Sequence, residues 1–348
     1  MRPSHLDVLI LDMDGVLVDV SKSYRQTIQR TIHLYLKTCL GFRGEIERLI
    51  TDKEISLFKS VGGFNNDWDL TTGLLLYLLS ISDLSPSPKR KKFFSIEESV
   101  SYLQTRSSKF SQKTVSRLKK QHLTTFLKKV RSSGGGLRGV RHVLGASWDG
   151  WVYPSGDLDR ENLVKRIFQE VYLGKKFVSH YHLSPLFYKG KGLFLRERVL
   201  IPKKILATLH KKLHMGIASG RPRFEAELAL KRFRLLPYFD SIVTLDECEE
   251  EENRILHSTG RKINCSKPHP YSLLRAIRET GIPDPRCAYV GDVPDDMLAA
   301  KSAKKEFQIL AIGLIRSCHP QKAMKEALIR AGADRVIEDP TELLQFIS

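Results

Sequence analysis

The sequence predicts an α/β fold: a parallel sheet with helices on both faces, interrupted by a long, mainly helical insertion. Three observations carry this. The stretch Leu6–Asp19 reads LDVLILDMDGVLVD, a continuous apolar run that ends in acids. Such a run fits a strand buried on both faces, as in a parallel sheet. From Pro202 onward, short apolar strands alternate with helical patterns, the signature of βαβ units. Between these two parts the spacing is helical and the composition strongly basic.

At 348 residues the chain favours two domains over one. The first strand needs partners, and the later strands supply them. Residues 1–20 and 200–348 are therefore assigned to one core and 21–199 to a second domain inserted into it. No apolar stretch is long enough to span a bilayer, and the first residues lack the features of a signal peptide. Five scattered cysteines without a CxxC pair fit reduced thiols, and the expected location is the cytoplasm. Cys248, His257, Cys265 and His269 match no standard zinc spacing.

In chain order, Ser21–Leu40 reads as a helix with Tyr24, Ile28, Ile32 and Tyr35 near one face, ended by Gly41 and Gly44. Glu45–Val61 reads as a second helix, stopped by Gly62-Gly63. Asn66 or Asp67 caps a third, which turns Leu70, Leu74, Tyr77 and Leu78 inward. Ser80–Pro88 is a loop by its Ser and Pro content. Helical spacing returns over Phe93–Ser107 and Thr114–Val130, and Ser132–Gly139 (SSGGGLRG) reads as a flexible hinge or linker. Arg141–Tyr153 has no clear pattern, Leu158–Tyr172 is helical, and Tyr181–Leu200 is mixed. Strands are then expected at Met215–Ser219, Ser241–Leu245, Ala288–Val290, Gln308–Ile312 and Arg335–Ile337, with helices between and after them.

The formal charge is +18 and is concentrated between Pro86 and Gly145, where fifteen Lys and Arg face only Glu97 and Glu98. That stretch attracts anions, such as phosphorylated metabolites, nucleic acid or an acidic partner, or is simply a solvated helical surface.

Four short motifs carry chemistry. Asp12 and Asp14 sit one residue apart at the end of the first strand, where open α/β sheets bind ligands. Two acids so close repel each other, so a cation or a catalytic task explains them better than folding does, though turn and cap chemistry also uses Asp and Gly. Ser219-Gly220-Arg221 follows a strand and opens a helix. Its hydroxyl and backbone N–H groups can hold a phosphate, or Ser219 is an N-cap. Lys267 precedes a proline, and its ammonium can neutralise a phosphoryl oxygen or an aspartate nucleophile. Asp292, Asp295 and Asp296 end another strand, and Asp292 can complete an oxygen site for a hard cation with Asp12.

The order DxDGV, Ser-Gly, Lys-Pro, GDxxxD resembles the haloacid dehalogenase superfamily of aspartate-nucleophile phosphohydrolases. The resemblance covers residues 1–20 and 200–348, with a helical cap inserted after the first motif, as in the group of phosphoglycolate phosphatase and β-phosphoglucomutase. DMDGVLVDVSKSYRQTI, GGFNNDWD and SGRPRFEAEL resemble a small branch of that group. The resemblance implies a Rossmann-like core and a Mg²⁺-dependent phosphatase acting on a small phosphorylated substrate. It gives Asp12 the role of nucleophile and Asp14 that of acid and base. Mg²⁺ would be held by Asp12, the backbone carbonyl of Asp14, and Asp292. Ser219 and Lys267 would hold phosphoryl oxygens, and Asp296 would position Lys267 or the metal shell. The second acid, Asp14, sets the chain apart from the dehalogenase branch.

Two segments depart from the family pattern. The acidic stretch Glu247–Asn264 is expected to loop away from the sheet, and the basic segment has no family role. For specificity, Gly62–Asp67 offers Gly63 for close backbone approach and Asn66 for polar contact, or is only a C-cap followed by an N-cap. Arg221 can pair with a second anionic group of a substrate. Three other readings remain: a phosphatase of nucleic-acid ends, a phosphomutase, and a non-enzymatic anion- or nucleic-acid-binding protein on the same scaffold.

Overall fold

The computed structural model describes residues 6–42, 49–64, 66–82, 84–87, 89–108, 123–315 and 321–347. The chain divides into two compact units, Met1–Val20 with Glu197–Ser348, and Ser21–Arg196.

The first unit holds the strands. In chain order they are β1 (Val8–Leu11), β2 (Val18–Asp19), β3 (Arg198–Val199), β4 (His214–Ala218), β5 (Ser241–Val243), β6 (Arg286–Gly291), β7 (Gln308–Leu314) and β8 (Arg335–Ile337). Six of them form one sheet of order β5-β4-β1-β6-β7-β8, and β2 pairs with β3 in an antiparallel ribbon. All pairings within the large sheet are parallel, with Leu9 opposite both Met215 and Ala288. The register explains the unbroken apolar run of β1. Leu9 and Leu11 pack on one face with Leu206, Leu209 and Leu230, while Val8 and Ile10 pack on the other with Leu273, Ile277 and Ala300. Each such side chain contributes about 1.5–3 kcal/mol by burial. Strand order reverses beside β1, so the carboxyl ends of β1, β4 and β6 flank the crevice where open α/β sheets place ligands.

The second unit is helical: α1 (Tyr24–Leu34), α2 (Asp52–Lys59), α3 (Asp67–Ser80), α4 (Ile96–Ser107), α5 (Leu123–Ser132), α6 (Gly136–Leu144), α7 (Leu163–Leu173) and α8 (Lys175–Tyr181). A π-helical turn over Tyr35–Cys39 follows α1. Tyr24 is buried and stacks on Tyr172 with ring centroids 4.5 Å apart. Within the expected helix over Glu45–Val61, Thr51 and Glu54 form a capping box and α2 covers Asp52–Lys59. Residues 43–48 lie outside the described residues, as do 109–122, which include the start of the helix expected over Thr114–Val130. Likewise α7 begins only after Asn162, whose side chain caps it by accepting from the N–H of Lys165.

The glycine triplet is not a hinge. Gly134–Gly136 turns directly from α5 into α6 with positive φ, and Gly136 N–H donates to Gly62 O at 2.8 Å. A Cβ on Gly136 would collide with Gly63 O. Glycine serves close backbone packing here, not looseness.

Buried charge also ties this unit together. Glu170 is fully buried and accepts from Arg166 Nε at 2.7 Å. It also takes the backbone N–H groups of Leu186, Phe187 and Tyr188 at 3.1, 2.7 and 2.9 Å. Glu170→Ala strands the buried Arg166 and three donors, so we expect a loss of about 3–5 kcal/mol, read as a lower urea midpoint at unchanged m-value.

The helices of the first unit are α9 (Lys203–His210), α10 (Arg223–Phe233), α11 (Leu245–Thr259), α12 (Tyr271–Glu279), α13 (Pro294–Ala303) and α14 (Gln321–Ala331). The acidic stretch expected to loop away is helix α11. Thr244 and Glu247 form its capping box, and Gly260 ends it at φ 67°. Acids in its first turn complement the helix dipole, which is why the run of Glu is compatible with helix. Among the described residues, no helix is long and apolar enough to cross a membrane.

Candidate active site

Asp12, Ser219 and Asp292 are delivered by the ends of strands. Asp12 follows β1, and its N–H donates to Val290 O of β6 at 2.8 Å. The chain then turns through Gly15, whose φ is +81° and whose N–H donates to Val18 O at 2.9 Å. Ser219 follows β4 and is anchored by its N–H on Val243 O at 2.9 Å. Its Oγ accepts from Arg221 N–H at 3.2 Å across Gly220. Asp292 follows β6, and Asp296 lies in the first turn of α13.

Lys267 joins them. Its ammonium donates to Asp12 Oδ1 at 2.7 Å, Asp296 Oδ1 at 2.7 Å, Tyr289 Oη at 2.9 Å and Ala218 O at 3.1 Å. The peptide bond between Lys267 and Pro268 is cis. The surroundings decide the charges. Burial pushes the Asp12 carboxyl up to about 7 against the pull of Lys267, with Asp296 and Asp14 adding to the rise. Burial pulls the Lys267 ammonium down, but Asp12 and Asp296 outweigh it and hold it well above its usual range. The lysine is therefore a fixed positive charge between two carboxylates.

Asp296 is fully buried and all of its carboxylate is in use. Oδ1 accepts from Lys267 and from the Tyr289 hydroxyl at 2.8 Å, and Oδ2 accepts the N–H groups of Asp292 and Val293 at 3.1 and 3.2 Å. Its geometry is that of a residue that holds the lysine and the Asp292 loop.

Asp12, Asp292 and Asp296 offer carboxylate oxygens within 4.8 Å of one another. Among the described residues this is the one such group of three; Cys248, His257, Cys265 and His269 do not form another. Asp12 and Asp292 are the members of this group that could hold a cation. An all-oxygen, carboxylate-crowded set suits a hard divalent ion such as Mg²⁺. The fit is tight, because a Cβ on Gly15 would collide with the Asp292 carboxylate. Gly15→Ala is also strained at φ +81°. We expect it to displace Asp292 and to lower kcat by at least about 100-fold, with near-UV circular dichroism otherwise retained.

Arg221 is 2% exposed and bound within the chain. Its Nε meets Asp14 Oδ1 at 2.5 Å and its Nη2 meets Glu197 Oε1 at 3.1 Å. The guanidinium that the sequence offers to a second substrate anion is thus engaged with two carboxylates, one of them Asp14. Gly63 packs its backbone against Gly136, and Asn66 caps α3 by accepting from Asp69 N–H at 2.7 Å.

Sequence reasoning missed Tyr289 and Glu197. Tyr289 looks like one more large residue of a buried strand, and only its neighbours show that its hydroxyl is needed. Glu197 carries no motif, and its sole signal is an acid beside the second junction between the units.

Residues 167–304 match the family model of the haloacid dehalogenase-like hydrolases. Imidazoleglycerol-phosphate dehydratase of Phytophthora nicotianae is 22% identical over 303 residues, 86% of this chain and 42% of that protein. A Caldanaerobacter subterraneus protein provisionally named pyrophosphatase PpaX is 28% identical over 161 residues, 46% of this chain and 61% of that one. The chain thus spans less than two thirds of either curated relative. Phosphatase Tt82 from Thermococcus thioreducens shares the fold, with 21% identity, a TM-score of 0.50, and 92% of this chain and 99% of that chain covered.

Proposed function

We propose that the chain, whose residues 167–304 match the model of the haloacid dehalogenase-like hydrolases, is a Mg²⁺-dependent phosphatase of a small phosphomonoester, working through an aspartyl-phosphate. The first unit is the catalytic core and the second its cap, and the enzyme acts in the cytoplasm. The observation that carries the reading is the Lys267 ammonium pinned between Asp12 and Asp296 at the carboxyl ends of the central strands. A phosphatase name on one structural relative and a pyrophosphatase name on one sequence relative agree with it.

Asp12 attacks phosphorus and the bond to the ester oxygen breaks. Asp14 gives that oxygen its proton, then takes a proton from water as the water oxygen attacks phosphorus and the bond to Asp12 breaks. Arg221, itself braced by Glu197, orients Asp14 between these tasks. Lys267 and Ser219, with the backbone N–H of Gly220, hold the phosphoryl oxygens. Asp296 and Tyr289 keep Lys267 in place. Asp12, Asp292 and the backbone carbonyl of Asp14 would hold Mg²⁺, which when bound supplies charge neutralisation at the phosphoryl group.

Phosphate release tests this, measured with Mg²⁺ over small phosphomonoesters and oligonucleotides bearing terminal phosphate. Release from a small ester, lost with chelator, is the expected result, and silence across the panel contradicts it. Mg²⁺ affinity should also depend on pH. Asp12 must lose its proton to take a cation, and burial has raised it to about 7. Affinity measured by calorimetry should therefore rise between about pH 5.5 and 7.5, with proton release, and level off above.

A further inference from the structure

The basic second unit carries a feature that phosphate hydrolysis does not use. Phe94 is 92% exposed, whereas the next most exposed large apolar side chain described, Ile329, is 52% exposed. It ends the run Lys89-Arg90-Lys91-Lys92-Phe93-Phe94, immediately before α4.

This tip is held firmly. Phe93 is buried, its ring centroid 5.3 Å from those of Tyr102 and Tyr153. Arg90 donates to Asp149 O at 3.0 Å and Ser155 Oγ at 3.2 Å. Lys91 N–H donates to Tyr153 Oη at 3.2 Å, and Phe94 N–H donates to Glu98 Oε2 at 3.0 Å. Two successive phenylalanines thus have opposite fates: one anchors the loop and the other is presented to solvent on a fixed backbone.

The charges around the ring are mostly positive. Lys89 and Lys92 are exposed and form no ion pair among the described residues. Asp149 lies 3.7 Å from Arg90 and 3.5 Å from Arg141, which brings the start of the run beside α6. Glu97, Glu98 and Asp149 offset only part of this charge.

We propose that the Lys89–Phe94 tip binds single-stranded nucleic acid, with a base stacked on Phe94 and backbone phosphates on Lys89 and Lys92. A single strand offers both things that the tip lacks, a flat π-face and adjacent anions. An acidic peptide supplies charge without the flat partner. An anionic lipid surface rewards a broad apolar face, and one ring does not make such a face. The inference does not rest on the phosphatase reading, since neither Asp12 nor its neighbours take part.

Fluorescence polarisation with the full chain tests it, using a labelled single strand of about 12 nucleotides, an abasic strand of equal length, and phosphatidylserine vesicles as a separate arm. The expected result is tighter binding of the base-bearing strand than of the abasic one. Phe94→Ala and Phe94→Leu should each weaken the former about tenfold and leave the latter unchanged. Lys89→Gln with Lys92→Gln should reduce the slope of log affinity against log salt by about 1.4, at about 0.7 for each single-strand phosphate contact. Asp12→Asn should bind the strand like the wild type even if it loses all hydrolysis. Equal binding of both strands, unaltered affinity in Phe94→Ala, or Phe94-dependent binding to vesicles without binding to strands would each overturn the proposal. Because Phe94 packs on so little, these variants should fold normally.

Discussion

Asp12→Asn should lower kcat for phosphate release by about 10⁴-fold or more. The amide keeps the size of the carboxylate but is no nucleophile, and it places less negative charge toward a cation. The same variant should behave distinctively with pH. Burial raises the Asp12 carboxyl from an ordinary 3.8 to about 7 in the metal-free protein. A raised carboxyl favours the folded state fully below about pH 4, and this contribution is lost as pH rises through about 7. Metal-free wild type should therefore lose stability over that window by a few kcal/mol at most. Asp12→Asn has no such group, so its Tm should lack that component of the fall. Differential scanning calorimetry of both proteins in chelator, from pH 4 to 8, checks the difference. Added Mg²⁺ should raise the wild-type Tm at pH 8 and do far less for the variant.

Lys267→Met should produce the largest combined loss. The substitution removes the ammonium that contacts Asp12, Asp296, Tyr289 and Ala218, and leaves two buried carboxylates facing each other. Stranding buried charge in this way costs about 3–5 kcal/mol. Loss of a preorganised positive group at the reacting phosphoryl should lower kcat by about 10³-fold. The two effects separate in a double variant. Adding Asp12→Asn to Lys267→Met removes one of the stranded carboxylates, so the pair should be more stable than Lys267→Met alone in urea, while activity stays absent. If the double variant is as unstable as the sum of the two single ones, the ion pair is not what holds this site together.

The sequence is legible where the physics is local. The apolar run of β1 and the acids at its end lie within a few residues, and parallel-sheet burial and a strand-end address follow from them. Asn66 shows its cap role in the same way, with Asp69 three residues on. What stayed hidden depends on distant neighbours. By composition Gly134–Gly136 signals looseness, but Gly135 and Gly136 are small because they pack on Gly62 and Gly63, more than 70 positions earlier. The acid-rich stretch after Leu245 obscured a Thr244-Glu247 capping box, because the count of like charges outweighed a two-residue signal. Arg221 carries the plainest lesson. An arginine beside a candidate phosphate-binding serine reads as a ligand contact, yet Glu197 and Asp14 take up its guanidinium. No spacing rule links positions 14, 197 and 221, since only the fold brings them together. The Tyr289 hydroxyl is likewise visible only once β6 is set beside β1 and the Lys267 loop.

The most direct measurement is of the phosphoryl group on the protein itself. Wild-type and Asp12→Asn chains would be mixed with the best ester of the panel and Mg²⁺, quenched in acid within the first turnover, digested, and examined by peptide mass spectrometry. A phosphoryl group is expected on the peptide spanning Leu6–Asp19, located at Asp12 in wild type, lost on further incubation and absent from the variant. Turnover without a protein-bound phosphoryl group, or one attached to any other residue, would contradict the aspartyl-phosphate route.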